Sequence, residues 1–298
     1  FDMSNDSGLF RTAAQLTDDG WQRDGTDWMK VAYRYVPLYE AKMIHQFDHR
    51  WATYNETGES SADFDLAHKQ DPAAELNPRY WVPKDEVDTR LAAKGWHRGW
   101  LMGWRDICRS TDERTVIASI FSKCAVGHTM PLIFPDAVPK LWAGLLGNLN
   151  SVSLDYCARQ SVGGTHLTYG YLKQFSILPP AFYTAPRLDF IVPRVLELNY
   201  TTHSLAPFAQ DLGYDGQPFA WDEDRRALLR AELDAFYARA YGLDRDELRY
   251  ILDPSDVMGN DYPSETFRVL KNGELREFGE YRTQRLVLAA WDQLNGVV

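Results

Sequence analysis

Two imidazoles four residues apart are the first groups in this chain that could do chemistry, in His45-Gln46-Phe47-Asp48-His49. On a helix that spacing would set His45 and His49 on one face, as a zinc site requires. Asp48 stands where the inverted zinc motif carries Glu, and no downstream carboxylate offers a third ligand, so a structural role is the better reading. Glu40-Ala41-Lys42, with Asp27 upstream, has the outline of a D…E-x-K metal site, in which carboxylates hold a divalent ion beside phosphate. A pattern this short arises by chance. Neither G-x-S-x-G nor G-x-x-x-x-G-K-[ST] occurs in the chain, so no nucleophile elbow or phosphate loop is legible. Cys108, Cys124 and Cys157 are odd in number and lack C-x-x-C spacing, which reads as reduced thiols.

Asn77-Pro78-Arg79-Tyr80 approximates the N-P-P-Y tetrapeptide with which amino-methyltransferases grip a flipped base. Arg79 replaces the second proline and no apolar strand precedes it, so catalysis is not expected there. Other stretches suit binding. Gly99 to Arg109 reads as a strand that would put Arg105 and Arg109 on one side among aromatic neighbours, with Arg98 just before it. Gly127-His128-Thr129 ends the following hairpin, and Gly163-Gly164-Thr165-His166-Leu167-Thr168-Tyr169 is a turn carrying hydroxyl, imidazole and phenol groups. Arginine forks fit guanine edges and phosphates, while Thr, His and backbone N–H groups at glycines fit phosphate oxygens. The expected DNA contacts are therefore Arg98, Arg105, Arg109, His128, Thr129, Arg159, Thr165, His166, Tyr169 and Lys173, with no catalytic or metal-binding residue.

These groups need elements to hold them. Trp28 to Leu38, Gly99 to Arg109, Arg114 to Phe121 and Val126 to Phe134 are rich in β-branched and aromatic residues and bounded by turn residues, the pattern of strands. Ser110 to Glu113 reads as a hairpin turn, and the polar stretch 55–79 as an insertion or loop. From Lys140 to Arg159 the pattern turns helical, with Leu141, Leu145, Asn148, Leu149 and Val152 on one stripe. After Pro179-Pro180 nearly everything reads as helix. Leu229, Leu233, Phe236 and Ala240 share a face that ends near Gly242. Asp244 and Glu247 form a capping box flanked by Leu243 and Leu248, and a last helix starts near Arg282 with Val287, Ala290, Trp291 and Leu294 inward. The expectation is an α+β fold: a β-rich module with a packed helix, then an all-helical C-terminal module.

The 298 residues are 45% apolar and 25% charged, which excludes disordered, collagenous and coiled-coil classes. No run of 18 apolar residues occurs and no basic, then apolar, leader opens the chain, so a cytoplasmic protein without membrane attachment is expected. The net charge of −10 argues against a polyanionic partner unless positive charge is concentrated. Between residues 90 and 125, seven Lys and Arg stand against Asp106, Asp112 and Glu113, and that stripe is the expected electrostatic footprint.

Four runs of residues together resemble a known family. They are Val36-Pro37-Leu38-Tyr39-Glu40 through His49-Arg50; Gly103-Trp104-Arg105-Asp106-Ile107-Cys108-Arg109 through Thr115; Gly163-Gly164-Thr165-His166-Leu167 through Leu178-Pro179-Pro180; and Tyr241-Gly242-Leu243-Asp244 through Asp253. In this order they resemble the C-terminal part of bacterial adenine-specific DNA methyltransferases of the type IIG restriction-modification kind and of related phage-defence methylases. The resemblance spans essentially the whole chain. It implies a segment that lies C-terminal to a methyltransferase region: a connector over 1–30, a target-recognition domain over 31–180 and a helical domain over 181–298. It implies double-stranded DNA and the parent's N-terminal methyltransferase region as partners. It implies no cofactor and no catalysis in this segment. S-adenosylmethionine would belong to the parent protein, a site-specific adenine methyltransferase that in some members also cleaves DNA. The alternative is a protein-interaction or scaffolding module of a phage-defence complex, with the acidic helical part as its partner surface.

Overall fold

The computed structural model describes residues 1–262 and 266–294; the last positions of the expected helical module, 295–298, lie outside the described residues. Antiparallel sheets and many helices make the fold α+β, as the sequence implies. Two compact units are formed, and neither is a single stretch of sequence. The first comprises 1–106, 118–136 and 199–220; the second comprises 107–117, 137–198 and 221–298. This differs from a linear division at residue 180. Residues 1–30, expected as a connector, build a helix and two strands of the first unit, and 199–220 belongs to the sheet-bearing unit rather than to the helical one.

In the first unit, β1 (Gln22–Asp24), β2 (Asp27–Lys30) and β3 (Tyr33–Tyr39) form an antiparallel ribbon. A single strand over 28–38 is therefore replaced by a hairpin, because Val31 adopts φ 58° and turns the chain in two residues. No Asn-Gly or Asp-Gly signal marks that turn, and a β-branched residue rarely occupies this backbone region. β4 (Ala52–Tyr54) and β5 (Ser61–Asp63) pair with each other, giving structure to part of the polar 55–79 stretch. β6 (Trp81–Pro83) joins β3, and Trp81 packs edge-on against Trp28 above buried Leu16. β7 (Trp100–Trp104), β8 (Ala118–Ser122), β9 (Ala125–Val126) and β10 (Leu132–Ile133) complete the strands, β7 lying between β8 and β10 and β9 running parallel to β3. Every residue of β7 is buried, so it reads as an unbroken apolar run without alternation. The adjacent loop closes tightly on β7: a Cβ at Gly103 would come within 2.7 Å of the Pro131 carbonyl oxygen.

The second unit is helical. The expected helix over 140–159 is two helices, Pro139–Leu149 and Val152–Ser161. Ser151 ends the first and caps the second, its hydroxyl accepting the Leu154 N–H at 3.3 Å, the usual competition of serine with the helical backbone. Asn148, Leu149 and Val152 of the expected stripe are buried, but its first two residues are not. Trp142, Ala143, Leu146 and Leu149 point inward, while Leu141 and Leu145 are half-buried. Gly144 and Gly147 let two tyrosines approach the helix backbone. The Tyr237 hydroxyl donates to the Gly144 carbonyl at 2.7 Å and that of Tyr183 at 3.3 Å. The Glu223–Ala240 helix buries Leu229, Leu233 and Phe236 against its neighbours, with Phe190 stacked on Phe236 at 5.1 Å. Gly242 takes φ 76° where that helix ends. The Asp244/Glu247 capping box is formed, and the Arg282–Gln293 helix buries Val287, Ala290 and Trp291. Among the described residues no helix is long and apolar enough to cross a membrane.

Candidate nucleic-acid interface

The residues with catalytic outlines are spent on the first unit's own packing. His45 to Asp48 is a tight turn, not a helix: His45 and Asp48 exchange backbone hydrogen bonds at 2.7 and 3.0 Å around Phe47 at φ 58°. The helical spacing of His45 and His49 thus does not apply. His45 stacks on Trp51, and His49 Nε2 pairs with the Thr202 hydroxyl at 2.9 Å. Asp48 makes a buried ion pair with Lys69 at 2.7 Å. Arg50, fully buried, donates to the carbonyls of Lys69, Asp71 and Ala74 at 2.7 to 2.9 Å. The motif is a polar brace that fixes the 68–74 loop. Asp27, Glu40 and Lys42 each have separate partners, in Arg34, Tyr54 and Ser61. Asn77 donates to the Asn55 carbonyl at 3.0 Å, holding loops together. Among the described residues no group of three or more His, Cys, Asp or Glu side chains is arranged to hold a metal ion.

The basic stripe is largely neutralised by acids distant in sequence. Arg90 grips Asp6 through both of its terminal nitrogens, at 3.0 and 2.8 Å, which holds the Asp6 carboxyl down at about 2. Arg98 pairs with Asp211 at 2.6 Å between the rings of Trp96 and Trp100, and Lys123 pairs with Asp88 at 2.7 Å. Arg114 is buried beside Asp234. Charge counted along sequence therefore overstates the field available to a polyanion. Arg105 and Arg109 do not share a strand face either. β7 ends at Trp104; Arg105 donates Nε to the Ile44 carbonyl at 2.7 Å in the first unit, and Arg109 lies exposed in the second. His128 is exposed and Thr129 half-buried in the loop before β10, where the Thr129 carbonyl accepts the Asp106 N–H at 2.9 Å.

In the second unit the expected residues do come together. Ile107 bridges His166 in antiparallel fashion, and the Cys108 N–H donates to the Thr165 carbonyl at 3.0 Å. Arg109, Thr165, His166, Tyr169 and Lys173 are all exposed along this pair of segments, together with Ile107. Asp112 and Glu113 are exposed nearby in sequence and oppose the positive charge. Gly163 and Gly164 have no left-handed φ, and a Cβ at either position would meet nothing within 4 Å. The fold itself makes no demand for glycine there.

The stretch after Arg109, residues 110–113, is fixed by Arg159, a residue whose type and position suggest a DNA contact. Arg159 is buried, and its guanidinium is saturated by the protein. Nε donates to Asp155 at 2.9 Å, Nη1 to the carbonyls of Ser110 and Thr266 at 3.0 and 2.7 Å, and Nη2 to those of Asp112 and Glu113 at 2.7 Å each. All five N–H donors are used. Its plane also lies over the Phe267 ring at 4.5 Å. Arg159 is thus a clamp, with no N–H donor left for an outside ligand. Asp155, missed in the sequence, completes the clamp by accepting the Thr115 and Val116 N–H groups at 2.8 and 2.7 Å. Its i,i+4 spacing from Arg159 was the available signal. Comparison with protein-family models, curated proteins and solved structures gives no match to this chain.

Proposed function

We propose that this chain is the DNA sequence-recognition region of a bacterial restriction-modification adenine-specific methyltransferase, serving a catalytic region outside the chain. The observation that carries the reading is the exposed pair of segments, 107–109 and 163–173, joined to each other at Ile107–His166 and Cys108–Thr165, with the stretch 110–116 that follows the first held to its helix by Asp155 and Arg159. Arg109 and Lys173 can meet phosphates, and His166, Thr165 and Tyr169 can meet phosphate or base-edge groups. Gly163 and Gly164 leave room for a partner's backbone to approach the main-chain N–H groups. The resemblance in sequence order points the same way and implies a cytoplasmic setting, with S-adenosylmethionine bound by the parent's catalytic region. Binding of the full chain to duplex DNA over a salt series tests the reading, since phosphate contacts release counterions and weaken steeply with salt.

The second reading is a protein-interaction module in a defence complex. It is favoured by the internal pairing of Arg90, Arg98, Arg114 and Lys123, which leaves the chain's excess of acid on the surface. Salt-insensitive or absent DNA binding would select it.

A further inference from the structure

A cavity of about 350 Å³ opens in the helical unit, lined by Phe182, Arg187, Arg239, Gly242 and Trp291 among others. Two arginines face it, and no Asp or Glu does. Each is pre-oriented by one ring and one carbonyl. The Arg187 guanidinium lies 4.1 Å from the Phe182 ring centroid and donates to the Phe182 carbonyl at 2.9 Å. Arg239 lies 4.4 Å from the Trp291 centroid and donates to the Trp291 carbonyl at 2.7 Å. Neither forms an ion pair among the described residues, and Arg239 Nε is buried without a hydrogen-bond partner. The acid nearest in sequence, Asp292, is gripped by Arg245 at 2.8 and 3.0 Å and feels Arg239 only through space.

We propose that this cavity binds a phosphate-bearing ligand through Arg187 and Arg239. Two guanidiniums that form no ion pair among the described residues, facing a cavity with no acid in its lining, suit an anion. Planar forks held in place by stacking suit the oxygens of a phosphoryl group, because little side-chain freedom is lost on binding. The volume falls at the lower end of small-ligand sites, roughly 300–1,000 Å³, and has room for a phosphate that carries an organic group. That group belongs either to a free phosphorylated small molecule or to a nucleic-acid backbone. The proposal does not depend on the loop at 163–173.

Calorimetric titration of the full chain with pyrophosphate, adenosine monophosphate and a short DNA duplex tests it, alongside Arg187→Gln, Arg239→Gln, Arg239→Lys and the surface control Arg276→Gln. The expected result is binding of at least one probe, weakened about tenfold or more by each Gln variant. Arg276→Gln should leave it unchanged and Arg239→Lys should restore part of it. Binding of the small probes identifies a free phosphorylated ligand; binding of the duplex alone, abolished in these variants, identifies a backbone phosphate. No binding of any probe at millimolar concentration, or affinities unmoved in both Gln variants with melting curves intact, overturns the proposal.

Discussion

Asp155 and Arg159 stand one turn apart on the Val152–Ser161 helix, meet at 2.9 Å, and grip opposite ends of the same segment. The carboxylate takes the N–H groups of Thr115 and Val116, while the guanidinium takes the carbonyls of Ser110, Asp112 and Glu113. A loop without regular structure is thereby tied to the helix at both ends, and Arg109 is carried at its start.

Removing that clamp should cost stability before it costs binding. Arg159→Ala removes the ion-pair partner of buried Asp155 and strands four carbonyls, so a loss of about 3–5 kcal/mol is expected. Chemical denaturation measures the loss. Hydrogen exchange should show the Thr115 and Val116 amides opening ahead of the global transition; retained protection there would refute the clamp.

Asp234 should impose a pH dependence. Burial raises its carboxyl from 3.8 to about 6, against the opposing pull of Arg114 and the Val152 N–H it accepts. The folded state then holds a proton that the unfolded chain has released. The resulting stability is fully present below about pH 4 and is lost as pH rises through about 6, a change on the order of 3 kcal/mol. Asp234→Asn keeps an acceptor for Val152 but cannot titrate. Its stability relative to the parent chain should improve across that window, and parallel curves would contradict the shift.

Two glycine pairs should behave in opposite ways. A Cβ at Gly144 would sit 2.7 Å from the Tyr183 ring, so Gly144→Ala should destabilise by about 1–3 kcal/mol in thermal melts. Gly163→Ala meets nothing within 4 Å and should leave the melting temperature unchanged while weakening DNA binding. A large drop in melting temperature for Gly163→Ala would assign that glycine to the fold instead.

Arg98 separates charge in the sequence from charge at the surface. It is half-buried and paired with Asp211, so Arg98→Ala should lower stability by about 1 kcal/mol or less and leave DNA affinity intact. A loss of affinity without a loss of stability would return the basic stripe to the interface.

Much of the helical unit is legible in the sequence because capping and periodicity are local: the Asp244/Glu247 box, the stop at Gly242 and the inward face of Arg282–Gln293 are written within a few residues of each other. The hairpin turn at Val31 is not, since its backbone conformation opposes the residue's own preference. Nor is the neutralisation of Arg98 by Asp211 or of Arg114 by Asp234, pairs separated by more than a hundred residues. The turn from Gly163 to Tyr169 is exposed except for buried Leu167 and runs into a short helix at Tyr169, and the role of Arg159 reverses because burial, not residue type, decides what a guanidinium touches.

On the proposed function, the exposed pair of segments in the helical unit reads DNA. Fluorescence anisotropy of the full chain with duplex DNA across a salt series, for the parent chain and for Arg109→Ala, His166→Ala and Lys173→Ala, tests it most directly. Affinity should fall log-linearly with salt. A substitution that deletes a phosphate partner should reduce the slope by roughly one, and one that deletes a base partner should cost about 1–3 kcal/mol on the preferred site. Binding that is absent at low salt, or unchanged in all three variants with the fold intact, would contradict it.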